Sequence, residues 1–146
     1  MALNYDNTDL AWTGRGDLVI GHDGDLMDTY ADPLRSFFQE IRTRIMSDTG
    51  DWANYPELGA TLEDFVGEPN TKITAESVKR RIQSALAKSG LVHNSDMDIK
   101  YMPIDIDKLM IRISVRVRPT ARNAGSDTLT INLAYSYSEN NVYFVR

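Results

Sequence analysis

Apolar residues recur with a helical period near the middle of the chain: Leu34, Phe37, Phe38, Ile41 and Ile45 fall at i, i+3, i+4, i+7 and i+11. Arg35, Gln39, Glu40, Arg42 and Asp48 fall on the other side. That spacing predicts an amphipathic core helix. Asp32 can accept orphan amide hydrogens, Pro33 suits the first helical position, and Gly50 is the expected stop. Each large side chain gains roughly 1.5 to 3 kcal/mol on burial, so the stripe itself drives formation of the helix. A second helix is predicted from Val78, Ile82, Ala85 and Leu86 at i, i+4, i+7 and i+8, with Thr74 as its cap and Gly90 as its stop. Its polar side carries Lys79, Arg80, Arg81 and Lys88, a face that is usually solvated but suits an acidic partner or phosphate. Between the helices, residues 51–60 place Trp52 and Tyr55 among Asn, Pro and Gly and read as an ordered corner. Thr61 is expected to open a short helical turn with Asp64 as its capping-box partner, and Gly67-Glu68-Pro69-Asn70 a turn.

From Met97 the period falls from 3.6 to 2. Met97, Ile99 and Tyr101 alternate with Asp98, Lys100 and Met102, and Pro103 marks this strand as an edge or bulged strand. After a turn at Asp107-Lys108, Leu109, Ile111, Ile113, Val115 and Val117 alternate with Met110, Arg112, Ser114, Arg116 and Arg118, a half-buried strand with a cationic outer face. A polar loop over 119–127, with Arg122, Asn123 and Gly125, leads to a third strand. Leu129, Ile131, Leu133, Tyr135 and Tyr137 form its inner face; Thr128, Thr130, Asn132, Ala134 and Ser136 form its outer face. Glu139-Asn140-Asn141 turns the chain into a last strand, Val142-Tyr143-Phe144-Val145, expected to leave an edge open. Upstream, Leu18-Val19-Ile20 and Leu26-Met27 flank Gly21-His22-Asp23-Gly24 and predict a short hairpin. The fold class is therefore α+β: two amphipathic helices packed on one face of an antiparallel β-sheet, with a short N-terminal hairpin. Residues 1–14 are expected as a partly extended arm, with Trp12 packed on its own domain, and residues 15–146 as one domain.

Composition narrows the chemistry. At 146 residues, with 42% hydrophobic and 25% charged positions, the chain fits one ordinary globular domain. It has no cysteine, which rules out disulfides and thiolate metal sites. No basic region followed by an apolar run opens the chain, and no stretch approaches about 18 apolar residues, so neither signal peptide nor membrane span is expected. A net charge of -5 argues against general nucleic-acid binding. Asp23, Asp25, Asp28 and Asp32 lack the alternating ligands and distal Glu of a calcium loop and read as turn and cap residues. Asp96, Asp98, Asp105 and Asp107 flank a strand and its turn, and phosphate-binding glycine loops are absent. His22 and His93 stand apart from each other, with no partner for a metal or nucleophile constellation. No cofactor is expected.

The order Gly16-Asp17-Leu18, Gly24-Asp25-Leu26, a helix with Arg42 and Arg44, Gly50-Asp51-Trp52, Pro56-Glu57-Leu58-Gly59 and Gly67-Glu68-Pro69 resembles the sheath-initiator family. Its members are small baseplate wedge proteins of contractile phage tails, with counterparts in type VI secretion; the resemblance runs from about Gly16 to the C-terminus. It implies a structural baseplate protein rather than an enzyme. Gly67, Glu68, Pro69 and Asn70 would anchor it to baseplate wedge subunits. Where the family carries Glu-Pro-Arg this chain has Asn70, so either Lys72 supplies the charge or the docking differs. Thr128, Thr130, Asn132, Val142, Tyr143, Phe144, Val145 and Arg146 would template the tail sheath protein by β-strand addition. The resemblance further implies tail tube or hub proteins as neighbours, a ring of several copies, roughly six, no membrane and no specific nucleic acid, and a place in the virion tail baseplate after assembly in the host cytoplasm. Some relatives carry a lysozyme-like label, which makes peptidoglycan hydrolysis the alternative. That chemistry needs two carboxylates about 5 to 9.5 Å apart, one kept protonated by burial. Glu40, Glu57, Glu63 and Glu68 are the candidates, and their spacing selects no pair.

Overall fold

A computed structural model describes residues 8–117 and 127–145. The first seven residues of the expected arm, the predicted loop with Arg122, Asn123 and Gly125, Arg118 and Arg146 lie outside the described residues. The fold is α+β. Helix α1 spans Pro33–Met46, α2 spans Lys72–Ala87, and four strands follow: β1 (Met97–Asp105), β2 (Lys108–Val117), β3 (Asp127–Ser136) and β4 (Asn141–Val145). Every strand lies antiparallel beside its predecessor, in the order β1-β2-β3-β4, so the two edges of the sheet are β1 and β4.

The period-2 pattern sets the register. Leu109 faces Tyr135, Ile111 faces Leu133 and Ile113 faces Ile131, and all six are buried. A slip of one residue would turn the whole row to solvent. These side chains share one buried cluster with Phe37, Ile41 and Ile45 of α1 and Val78, Ile82 and Leu86 of α2. At β1, Pro103 coincides with a register shift before Asp105, where the edge tolerates a residue that cannot donate.

Local chemistry departs from expectation at several helix ends. α1 opens as predicted, with the Asp32 carboxylate accepting the Arg35 amide, but it closes at Met46 rather than at Gly50. Ser47 is already extended, and Gly50, at φ +98°, serves the following turn by donating to Pro56 O. The cap of α2 is Thr71, whose Oγ1 accepts the Thr74 amide, so Thr74 lies inside the first turn and is buried. The same helix ends at Ala87, ahead of a turn with positive φ at Ser89 and Gly90. Thr61 is left-handed, at φ 51°, and forms no capping box; Asp64 pairs with Arg81 instead, at 2.9 Å. Over residues 18–27, Met27 donates to Val19 O and Gly21 to Asp25 O, giving the single bridge Ile20↔Leu26 in place of regular strands.

The polar side of α1 is the larger surprise. Gln39, expected in solvent, is buried: its Oε1 accepts the Trp12 amide at 2.9 Å and its Nε2 donates to Leu10 O at 3.0 Å. Arg35 donates to Trp12 O, and Arg42 to Thr13 O and Gly14 O. Residues 10–14 are thereby strapped along α1, and Trp12 is half-buried there. Arg44, also buried, reaches across to the end of α2, donating to Ala85 O at 3.1 Å and Lys88 O at 2.6 Å while pairing with Glu40.

Candidate functional site

The corner at Gly67-Glu68-Pro69-Asn70 is fixed to one end of the sheet. Gly67, at φ +82°, donates to Tyr137 O, and Glu68 donates to Phe65 O. Asn70 turns inward, its Nδ2 donating to Asp105 O at 2.8 Å and to Lys108 O at 2.9 Å, which ties the corner to the β1–β2 turn. Its buried Oδ1 meets no partner among the described residues. The four residues therefore separate by role: Gly67 and Asn70 hold the corner in place, while Glu68 and Pro69 are exposed on it. Lys72, in the first turn of α2, is exposed as well.

The second set of residues gathers around β4 and the adjoining half of β3. Val142 and Phe144 turn inward against the core; Phe144 meets Phe38 edge-on at 6.0 Å, and the Arg42 guanidinium lies 5.5 Å from its ring centre. Tyr143 and Val145 point outward, and the Tyr143 hydroxyl donates to Glu139, a bond that pushes the phenol above its ordinary pKa. Thr128, Thr130 and Asn132 stand on the outer face of β3, in register with Arg116, Ser114 and Arg112. Only Asn132 to Ser136 of β3 pair with β4, so among the described residues Thr128 to Ile131 have no strand on that side. An open groove of about 670 Å³ runs beside this free stretch, walled by Leu34, Arg35, Phe38 and Arg42 of α1 and by Leu129 and Phe144.

The two sheet edges are unlike each other. β1 carries Asp98, Lys100, Pro103 and a register shift, features that discourage pairing with another chain. β4 reads Asn-Val-Tyr-Phe-Val, with neither a charge nor a proline. The corner at residues 67–70 and the Thr128 end of β3 also lie at opposite ends of the sheet. Tyr137 and Thr128 are nine residues apart, which at about 3.3 Å per residue is roughly 30 Å.

No family model matches the chain, and no curated protein matches it. Glu57, Glu63 and Glu68 are exposed and the Glu40 carboxylate is held by Arg44, an arrangement without a buried acid of the kind glycoside hydrolysis needs among these four. His22 and His93 are exposed, and among the described residues no three His, Asp or Glu side chains converge on a common point. Asp23, Asp25, Asp28 and Asp32 each accept a nearby backbone amide. Among the described residues no helix is long and apolar enough to cross a membrane. Sequence reading missed Gln39, Arg35 and Arg44 as internal straps. Their spacing along α1 was visible, but not that its polar side is covered by residues 10–14 and by the end of α2.

Proposed function

We propose that this chain is a structural baseplate protein of a contractile tail, anchored to wedge subunits at Glu68-Pro69 and templating the tail sheath by strand addition at β4. In this reading both helices cover one face of the sheet and residues 18–27 act as a hairpin; the shared core cluster and the Ile20↔Leu26 bridge support those two points. The observation that carries the functional reading is the uncharged edge of β4 continuing into a stretch of β3, Thr128 to Ile131, that has no strand partner on that side among the described residues. An incoming strand would meet open backbone donors and acceptors along both, beside the groove lined by α1.

The energetics favour assembly only in a ring. Four or five edge hydrogen bonds at roughly 0.5 to 1.5 kcal/mol each give a few kcal/mol. Loss of translational and rotational freedom costs about 4 to 15 kcal/mol, so a lone copy binds sheath weakly. Copies held side by side on wedge subunits make the later contacts intramolecular and raise the overall affinity by about 100-fold or more. Sheath then polymerises where the ring is and nowhere else.

Deleting β4 is a poor test, because Val142 and Phe144 are partly buried against the core. Proline at Tyr143 and, separately, at Phe144 is cleaner. Successive amides along a strand point to opposite sides, so one variant removes an outward donor and the other breaks the β3 ladder. The variant that keeps wild-type thermal stability should enter reconstituted baseplates and fail to start sheath. Normal sheath on that variant would refute the templating half. Glu68→Ala should enter baseplates at reduced occupancy; full occupancy would refute the anchoring half.

A further inference from the structure

The sheet has a second face, opposite the core, and its side chains form ordered rows. Met102 faces Met110, Met110 faces Ala134 and Ala134 faces Tyr143, so one apolar row crosses all four strands. Beside it runs the row Lys100, Arg112, Asn132 and Val145. Met102 is 60% exposed, Tyr143 45% and Val145 46%. A depression of about 390 Å³ lies where the two rows meet, lined by Met102, Met110, Val145, Lys100 and Arg112. The Arg112 guanidinium is held in place by donating from Nε to Asn132 Oδ1 at 3.0 Å. Lys100 pairs with the exposed Asp98 at 3.6 Å, and the Glu139 carboxylate accepts from the Tyr143 hydroxyl. The face is thus apolar and cationic on a chain whose net charge is -5.

We propose that this outer face docks an amphipathic helix of a partner protein, one whose apolar stripe is bordered by Asp or Glu. Charge selects the occupant: carboxylates beside the stripe meet Lys100 and Arg112, whereas a second copy docked through the same face brings cation against cation. Dimensions agree. Neighbouring strands are about 4.8 Å apart, so the apolar row spans about 14 Å. Three turns of helix rise about 16 Å, and its i, i+4 and i+7 side chains fall along that length. The two rows lie two residues apart along each strand, about 7 Å, close to the lateral spacing between the apolar stripe of a helix and its flanking residues. Methionine suits such a surface because its unbranched, polarizable side chain adapts to varied apolar ridges. The site shares the side chains of Asn132, Tyr143 and Val145 with the strand-addition edge but differs in what it offers: side chains of the outer face rather than the edge backbone of β4.

The test uses the full chain and two synthetic helical peptides of about 20 residues, sharing a Leu stripe, one flanked by Glu and the other by Lys. Fluorescence anisotropy measures binding and NMR shift mapping locates it. The Glu-flanked peptide should bind at least about tenfold more tightly than the Lys-flanked one, a difference of about 1.4 kcal/mol. Its shifts should centre on Met110, Arg112 and Ala134, and Arg112→Glu and Met110→Ser should each weaken it about tenfold. Both positions are on the outer face, and unchanged far-UV circular dichroism and melting temperature verify that each variant folds. Equal affinity for the two peptides, no binding of either, or shifts confined to β4 and α1 would overturn the proposal. So would self-association of the chain that Arg112→Glu abolishes, or preferential binding to anionic vesicles of phosphatidylglycerol.

Discussion

Arg44 offers the sharpest test of how the two helices are held together. Its guanidinium donates to Ala85 O and Lys88 O, two carbonyls at the end of α2 that the helix cannot satisfy itself, and pairs with Glu40. In Arg44→Met the apolar stem remains and the fork is lost. Hydrogen bonds to a charged group contribute roughly 1.5 to 3 kcal/mol each. The Glu40 pair adds little, because that carboxylate is 35% exposed. Removing a buried charge returns part of the loss, since its desolvation no longer opposes folding. The net destabilisation should be about 2 to 4 kcal/mol, which for a domain of this size lowers the melting temperature by about 5 to 15 °C. Glu40→Gln should cost under about 1 kcal/mol. Both follow from thermal and urea unfolding of the three proteins. If Arg44→Met loses no more than Glu40→Gln does, the bonds to the end of α2 are not what holds it to α1.

Burial pushes the Tyr135 phenol up to about 12 from an ordinary 10.0 while its hydroxyl donates to Leu62 O. Folding thus favours the neutral form: the contribution is complete below pH 10 and is lost from about pH 10 to 12, amounting to about 2 to 3 kcal/mol. Unfolding measured across that range should show the loss, and Tyr135→Phe should make it smaller, with Tyr137, which burial also raises, contributing the rest; an unchanged slope in the variant assigns the effect elsewhere. A Cβ on Gly59 would sit 2.7 Å from the backbone of Ser47 and Asp48, at φ +127°, so Gly59→Ala should cost on the order of 3 kcal/mol. Gly24→Ala, with open space around it, should cost about 1 kcal/mol, and similar urea midpoints for the two variants would contradict the close contact. Asn70→Ala removes both bonds to the β1–β2 turn and should cost about 1 to 3 kcal/mol, with faster amide exchange at residues 68–71. Unaltered exchange there would show that the corner holds without it.

The sheet was the most legible part of the chain because alternation over ten residues admits one buried face. Leu109 to Val117 and Leu129 to Tyr137 reveal each strand and its buried face in that pattern; which residues pair, as Leu109 with Tyr135, is seen only in the structure. The helices were legible as stripes, and α1 also at its Asp32-Pro33 start, but not at the other ends. Threonines stand at 71 and 74, and either offers a hydroxyl, so the true cap depends on where the corner releases the chain. Gly50 misled for a similar reason: a glycine with positive φ marks a turn as readily as a helix end. Burial of Gln39 and Arg44 was hidden altogether, since each is satisfied by backbone carbonyls or amides distant in sequence, which no local pattern announces. At the candidate surfaces, the open edge of β4 followed from strand order. That the last described residue of β4 stands opposite Asn132, with no described strand beside Thr128 to Ile131 on that side, depended on a register the sequence does not display.

The reading as a sheath template stands or falls on the edge of β4. Electron cryomicroscopy of assembled particles containing this chain shows directly what lies beside it. The prediction is a strand of the first sheath ring paired to β4 and continuing along Thr128 to Ile131 of β3, with Glu68 and Pro69 against a wedge subunit at the other end of the sheet. An edge that meets no other chain while sheath is seated elsewhere would contradict it.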